Sequence, residues 1–283
     1  MSDAQREYVR KGRNAVAGWF FRVDGEIFCS ITDYQNENAL DGSVAEIGLH
    51  HGKSFIAMCL ALRGGQKAYG IDVFEQQSLN IDGSGRGDRF AVERNLKEAG
   101  VDLSAVVLDG RSSTSVSPGD ILGSVGAVRL FSIDGAHQID VVRNDLLLAE
   151  QTLAEHGVIA LDDFFRPEWP DVSAAFFAWF AQRTKPIVPF SIGCNKLYLC
   201  HQSHVLRYKE VLLKSAFLRI FLSRHYDFCG NEIPVFQEFL DPDWGWKQQV
   251  TDYVKRCNPD LYLSLGGLRF LRHLRLRSLL WRR

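Results

Sequence analysis

The sequence predicts an α/β protein built on a doubly wound, mostly parallel sheet of seven strands. Three observations carry that expectation. Between Ser43 and Cys200, short β-rich apolar runs alternate with helix-period segments. A glycine-punctuated turn, Gly48 to Gly52, follows the first run and precedes a helical segment. Several runs then end in an acidic residue, at the carboxyl edge where open parallel sheets bind their ligands.

Taken in order, residues 1–40 read as a helical segment with Ile27, Phe28, Ile31 and Tyr34 on one face. Strands are expected at 44–47, 68–71, 105–108, 128–133, 158–161, 187–191 and 197–200. Helices are expected near 54–62, 88–99 and 139–155, with a shorter one at 118–122. The long helix spaces Val142, Leu146, Ala149 and Leu153 at three and four residues, and Gly157 is its expected left-handed stop. The organisation is therefore an N-terminal helical segment (1–40), a ligand-binding core (41–203) and a mostly helical C-terminal extension (204–283). The tail GGLRFLRHLRLRSLLWRR intersperses arginine and leucine all round a helical wheel, so it reads as packed on its own protein or on a partner subunit of a homo-oligomer.

Composition narrows the function. With 283 residues, 46% of them hydrophobic and 24% charged, the chain can bury a sizeable core, and a formal charge of -1 argues against a partner bound through phosphate neutralisation, so no nucleic acid is expected. Six cysteines without a Cys-x-x-Cys pair suit a reduced compartment. The N-terminus carries charge throughout, and no run of about 18 apolar residues occurs, so neither a signal peptide nor a transmembrane segment is expected and the cytoplasm is the expected location.

The stretch VAEIGLHHGKSF ends like a phosphate-binding loop, but only three residues separate Gly48 from Gly52 where such a loop needs four. The dinucleotide fingerprint fails as well, because His50 stands where a second glycine would let a pyrophosphate approach. What remains is Glu46-x-Gly48-x-x-x-Gly52 between a strand and a helix, with Lys53 and Ser54 in the first helical turn. The next strand, YGIDVFE, ends in Asp72, placed to accept both hydroxyls of a ribose. Two further strands, in FSIDGAH and ALDDFF, put Asp134, Asp162 and Asp163 on the same edge. Three carboxylates converging without positive partners would repel, so either some are protonated or a cation lies between them, and all-oxygen ligands suit Mg²⁺. The rest of the edge offers VVLDGRSST after the third strand and the glycine-rich loop NIDGSGRGDRF, read as a mobile lid with Arg86 or Arg89 facing an acceptor. Trp169 is placed to stack on a sugar face, and His201 and His204 lack the companions that zinc requires.

Glu46 to Ser54 followed by Asp72 resembles the first two motifs of the class I S-adenosylmethionine-dependent methyltransferases. The block from Phe131 to Val172, with GCNKLYLC after it, is similar to the metal-dependent O-methyltransferases of the macrocin and mycinamicin sugar type. The resemblance covers about residues 25–203. It implies a Rossmann-like methyltransferase fold, with S-adenosylmethionine and Mg²⁺ as cofactors and a small-molecule hydroxyl acceptor, a sugar, glycoside or other vicinal diol. It further implies that Glu46, Gly48, Gly52, Ser54, Asp72 and Asp134 bind the cofactor and that Asp109, Gly110 and Ser112 flank its adenine. Asp134, Asp162 and Asp163 would hold the metal, His137 would be the base beside Asp134, and Asn195 and Lys196 would lie near the acceptor. Two rival readings stay open: an NAD(P)-dependent oxidoreductase, which shares the sheet and the ribose acid, and a non-catalytic partner-binding protein on a degenerate methyltransferase fold.

Overall fold

A computed structural model describes residues 3–238. Strand β1 (Ser43–Ile47) is buried along its whole length and pairs in parallel with both β2 (Ala68–Ile71) and β4 (Val128–Ile133). Parallel pairing continues outward to β3 (Val106–Asp109) on one side and β5 (Leu153–Leu161) on the other. β7 (Leu197–His201) then runs antiparallel between β5 and β6 (Ile187–Ile192). The chain leaves β1 towards β2 on one side, and the later strands fill the other, so the turns after β1 and β4 part and open a crevice at their carboxyl ends.

Side chains alternate across this sheet. Ala45, Ile47, Phe131, Ile133, Ile159 and Leu161 face a core completed by α5 (Pro118–Val125), α6 (Ile139–Thr152) and α7 (Pro170–Gln182). On the other face lie α1 (Asp3–Arg10), α2 (Arg22–Glu37), α3 (Lys53–Cys59) and α8 (Val205–Lys214). There Ile27, Phe28 and Ile31 of α2 are fully buried and Tyr34 meets the Tyr208 ring edge-on, as their shared helical face predicts. The buried Arg129 of β4 fastens this layer by donating to Asn36 Oδ1 at 2.7 Å and to the Ala61 carbonyl at 2.9 Å. α4 (Arg89–Glu98) begins at Asp88, whose carboxylate accepts the Ala91 N–H at 2.9 Å as an N-cap.

Three expectations are corrected. α6 stops at Thr152 rather than at residue 155, and Gly157 lies inside β5 instead of capping the helix. A Cβ on Gly157 would stand 2.6 Å from Leu153 Cγ and 2.8 Å from the Val128 carbonyl, so close strand approach is what requires glycine there. The C-terminal extension starts helically, with α8 and α9 (Ala216–Phe221), but then forms β8 (Leu222–Phe228) and β9 (Asn231–Phe236). These pair antiparallel and join β6 through Ile192 and Val235, giving nine strands in the order β3-β2-β1-β4-β5-β7-β6-β9-β8. Most of β8 is exposed, and Arg224 interrupts the face shared by Leu222, Tyr226 and Phe228, which weakens its period-two pattern. The arginine-rich tail lies outside the described residues. Among those residues no helix is long and apolar enough to cross a membrane.

Candidate active site

The crevice deepens into a cavity of about 560 Å³ at the carboxyl edge of the sheet. Gly48 is the residue that lets the chain turn into it. Its φ is +81°, and a Cβ built there would sit 1.8 Å from the Asp134 carbonyl, so β1 and β4 approach in a way only glycine permits. The turn is fixed by Asp72: Oδ2 accepts the N–H groups of Leu49 at 2.8 Å and His50 at 2.9 Å, while Oδ1 accepts that of Phe74 at 2.7 Å. His50, Phe74, Asp163 and Phe165 all have positive φ without being glycine, and all lie in turns along this edge. Such backbone costs about 1–3 kcal/mol per residue and gathers where a site over-determines it.

The residues expected to bind a cofactor divide into two groups. Gly48, Ser54, Asp72, Ser112 and Asp134 line the cavity. Glu46, Gly52, Asp109 and Gly110 are not among its lining residues. Gly52 instead supplies the left-handed cap that starts α3, with φ +85°. Asp109 is committed to Arg111 at 2.6 Å and to the Tyr69 hydroxyl at 2.7 Å, and Arg111 rather than Gly110 reaches the wall. Glu46 lies on the α2 side of β1, fully buried, with the hydroxyls of Ser54 and Ser132 beside its carboxylate. Burial pushes its pKa up to about 7 against the partial relief offered by Lys196.

The three acids expected to cage Mg²⁺ do not meet at a common empty point. Lys196, buried at the head of β7, holds its Nζ 2.7 Å from Asp162 Oδ2 and 3.8 Å from Asp134 Oδ2. Burial alone would lower the pKa of this ammonium, but the two carboxylates outweigh it and hold it charged. Burial and the neighbouring Asp162 push Asp134 well above the usual carboxylate range. Asp163 turns to other partners: its Oδ2 faces His137 Nε2 at 3.0 Å and its Oδ1 accepts from Asn195 Nδ2 at 3.3 Å. The assumption of acids without positive partners therefore fails, because the chain supplies an ammonium and room for a proton. Among the described residues no group of three or more His, Cys, Asp or Glu side chains is arranged to hold a metal ion. The donor set does not fit Mg²⁺.

His137 lies on the cavity wall, only 9% exposed, with both ring nitrogens engaged. Nδ1 meets Asp82 Oδ2 at 2.7 Å, and the same oxygen accepts the His137 backbone N–H at 2.9 Å. Burial tends to lower the imidazole pKa, but the hydrogen bonds to Asp163 and Asp82 outweigh it, and the net shift is upward. Trp169 stacks on the ring at 3.9 Å between centroids, so one indole face is spent on His137. Asp82 belongs to the glycine-rich loop expected as a lid, and of its arginines Arg86 lines the cavity. The N-terminal arm was missing from the expected site: Trp19, 79% exposed, and Phe21 line the mouth, and Lys53 Nζ holds the Gly18 carbonyl at 2.9 Å.

Residues 45–164 match a family model described as a methyltransferase domain. The fold is a Rossmann-like methyltransferase fold. The O-methyltransferase NovP superposes with a TM-score of 0.52 at 15% identity, over 64% of this chain and 79% of its own. An O-methyltransferase from Bacillus cereus in complex with SAH gives 0.49 at 14% identity, covering 70% and 90%. CalS11, a TDP-rhamnose 3'-O-methyltransferase, gives 0.46 at 17% identity, covering 62% and 78%. No curated protein matches the sequence.

Proposed function

We propose that this chain transfers a methyl group from S-adenosylmethionine to a hydroxyl oxygen of a small molecule, a sugar or glycoside on the sequence resemblance. The observation that carries the reading is the joining of Gly48, Asp72, Ser112 and Asp134, from four separate strand ends, around one cavity within the stretch that matches a methyltransferase domain. A donor with a ribose and no pyrophosphate suits a turn that keeps Cβ atoms away and lacks a phosphate loop. Its bound form supplies a methyl already activated on a sulfonium sulfur.

The chain then has two tasks, to align the acceptor oxygen and to take its proton. Asp72, on the cavity wall, is the acid for the ribose hydroxyls while it also holds the turn after β1. Asp134 presents a carboxyl to the positive end of the donor. His137, kept in place by Asp82 and Trp169, is the base in its neutral form: Nδ1–H donates to Asp82, and Nε2, released from Asp163, accepts the proton of the acceptor hydroxyl. As the oxygen's lone pair forms the new O–C bond, the C–S pair returns to sulfur and the proton passes to His137. A vicinal diol is no longer required, since the reason for a second hydroxyl was chelation of a metal. Trp19, Phe21, Leu79 and Ile81, exposed around the mouth, suit an acceptor whose hydroxyl sits on an apolar scaffold.

Separate calorimetric titrations of S-adenosylhomocysteine and NADH into the full-length chain test this. One S-adenosylhomocysteine per chain, with no heat from NADH, is the expected result. Saturable NADH binding without S-adenosylhomocysteine binding would replace methyl transfer with an oxidoreductase.

A further inference from the structure

Lys196 is a lysine with 2% of its surface exposed, in a strand whose following residues, Leu197 to Cys200, are all buried and uncharged. Lysine is almost never so buried unless paired. Its position is fixed from both sides. The Gly193 N–H donates to the Lys196 carbonyl at 2.8 Å, and the Phe164 N–H donates to the Asn195 carbonyl at 2.9 Å, which locks the β6–β7 turn against the turn after β5. The ammonium is thereby delivered to Asp162 at 2.7 Å and Asp134 at 3.8 Å. A divalent ion at that point would need carboxylate oxygens at about 2.0–2.1 Å, with several waters besides. It would also lie against a buried positive charge, whose repulsion cancels about as much as one carboxylate at the same distance contributes. The third acid is turned aside, held by His137, Asn195 and, at 3.9 Å, Arg166.

We propose that Lys196 is the resident cation of this site, a positioning residue whose ammonium holds Asp162 and Asp134 where a divalent metal would otherwise be needed. The site itself is the one assigned above to methyl transfer, and the inference rests on that reading for its purpose but not for its geometry. The chain binds its donor in the presence of a chelator, and the acceptor needs one hydroxyl rather than a chelating pair. Atoms balance without a metal: the acceptor proton goes to His137 and the electron pair of the broken C–S bond to sulfur.

The test is a Mn²⁺ titration of the EDTA-treated full-length protein, followed by electron paramagnetic resonance of the free ion, with S-adenosylhomocysteine calorimetry in EDTA and in MgCl₂. Wild-type protein should leave the free Mn²⁺ signal unchanged and bind S-adenosylhomocysteine equally well in both buffers. Lys196→Met leaves the carboxylates without their ammonium, so it should gain one Mn²⁺ per chain, melt at a higher temperature when Mn²⁺ is added, and lose both effects when Asp162→Asn is added to it. One Mn²⁺ bound per wild-type chain, displaced by Mg²⁺ and abolished by Asp162→Asn, overturns the proposal. So does a folded Lys196→Met that takes up no Mn²⁺. Should Lys196→Met fail to fold, the wild-type and Asp162→Asn titrations decide alone. Loss of S-adenosylhomocysteine binding in every buffer would strike the methyl-transfer reading while leaving the Mn²⁺ result to stand.

Discussion

His137 shows what one side chain can report about a site before any acceptor is known. It is gripped by Asp82 at Nδ1 and Asp163 at Nε2, and each carboxylate favours the charged ring over the neutral one. The pKa therefore lies above its ordinary 6.5 even though burial acts the other way. The sign for stability follows: a raised histidine pKa adds stability that is complete below the unfolded value and is lost as pH climbs through the folded one. Asp82→Asn keeps the shape of the contact and removes its charge, so the imidazole should titrate lower than in wild type, and Asp163→Asn should do the same. The Cε1–H resonance of His137, followed by NMR across pH 5 to 9, measures it. An unmoved or higher value in Asp82→Asn would detach the glycine-rich loop from the base. Asp82 was not legible as a site residue, because 55 residues separate it from His137 and nothing in NIDGSGRGDRF singles out one acid. Lys196 was placed near the acceptor by the resemblance alone, and nothing in the sequence showed its burial or which acids its ammonium meets.

Among the elements, the turn after β1 is where sequence and structure agree most closely, since Gly48 and Asp72 were named from spacing alone and both reach the cavity. Strands β1 to β7 were likewise legible, with β5 starting five residues early at Leu153, because strands inside a sheet are short apolar runs whichever way they pair. The hairpin β8–β9 was not, since Arg224 breaks the alternation of the exposed edge strand β8 and Pro234 lies inside β9. Glu46 does not reach the cavity wall for a related reason: pattern gives its strand, but the face is set by which helices cover it. Gly48 carries a sharp prediction. Alanine there meets the Asp134 carbonyl at 1.8 Å and a φ of +81°, so β1 and β4 must part. Gly48→Ala should lose on the order of 3 kcal/mol or more of stability, the range of severe backbone conflicts, and lose S-adenosylhomocysteine binding with it. Gly52→Ala meets nothing closer than Val92 Cγ1 at 3.5 Å and bears only the strain of a left-handed φ, so it should be the milder of the two. Urea denaturation of both variants ranks them; equal midpoints would contradict the contact.

At the scale of the whole molecule, Glu46 sets a pH dependence that global stability can read. Its carboxyl is fully buried, and burial outweighs Lys196 and the Ser54 and Ser132 hydroxyls to raise its pKa from the ordinary 4.5 to about 7. A raised acid binds its proton more tightly folded than unfolded, so stability is greatest below 4.5, falls as pH rises from 4.5 to about 7, and is flat above. The difference between those two values, converted at 1.36 kcal/mol per unit, amounts to about 3 kcal/mol lost across the window. Glu46→Gln is neutral throughout and keeps the volume. Its urea midpoint should match wild type near pH 4 and exceed it at pH 8, so the variant-minus-wild-type curve climbs between those limits and isolates this carboxyl from every other titrating group. Holding an ionisable side chain in β1 at such a cost makes sense only if its charge matters to Lys196 and the acids that ammonium holds. Glu46→Gln should then also change S-adenosylhomocysteine affinity at pH 8 and leave it unaltered near pH 5, where wild-type Glu46 is already neutral. A variant that is less stable than wild type at pH 8 would mean that the carboxylate is stabilised by its surroundings and that the burial argument has the wrong sign.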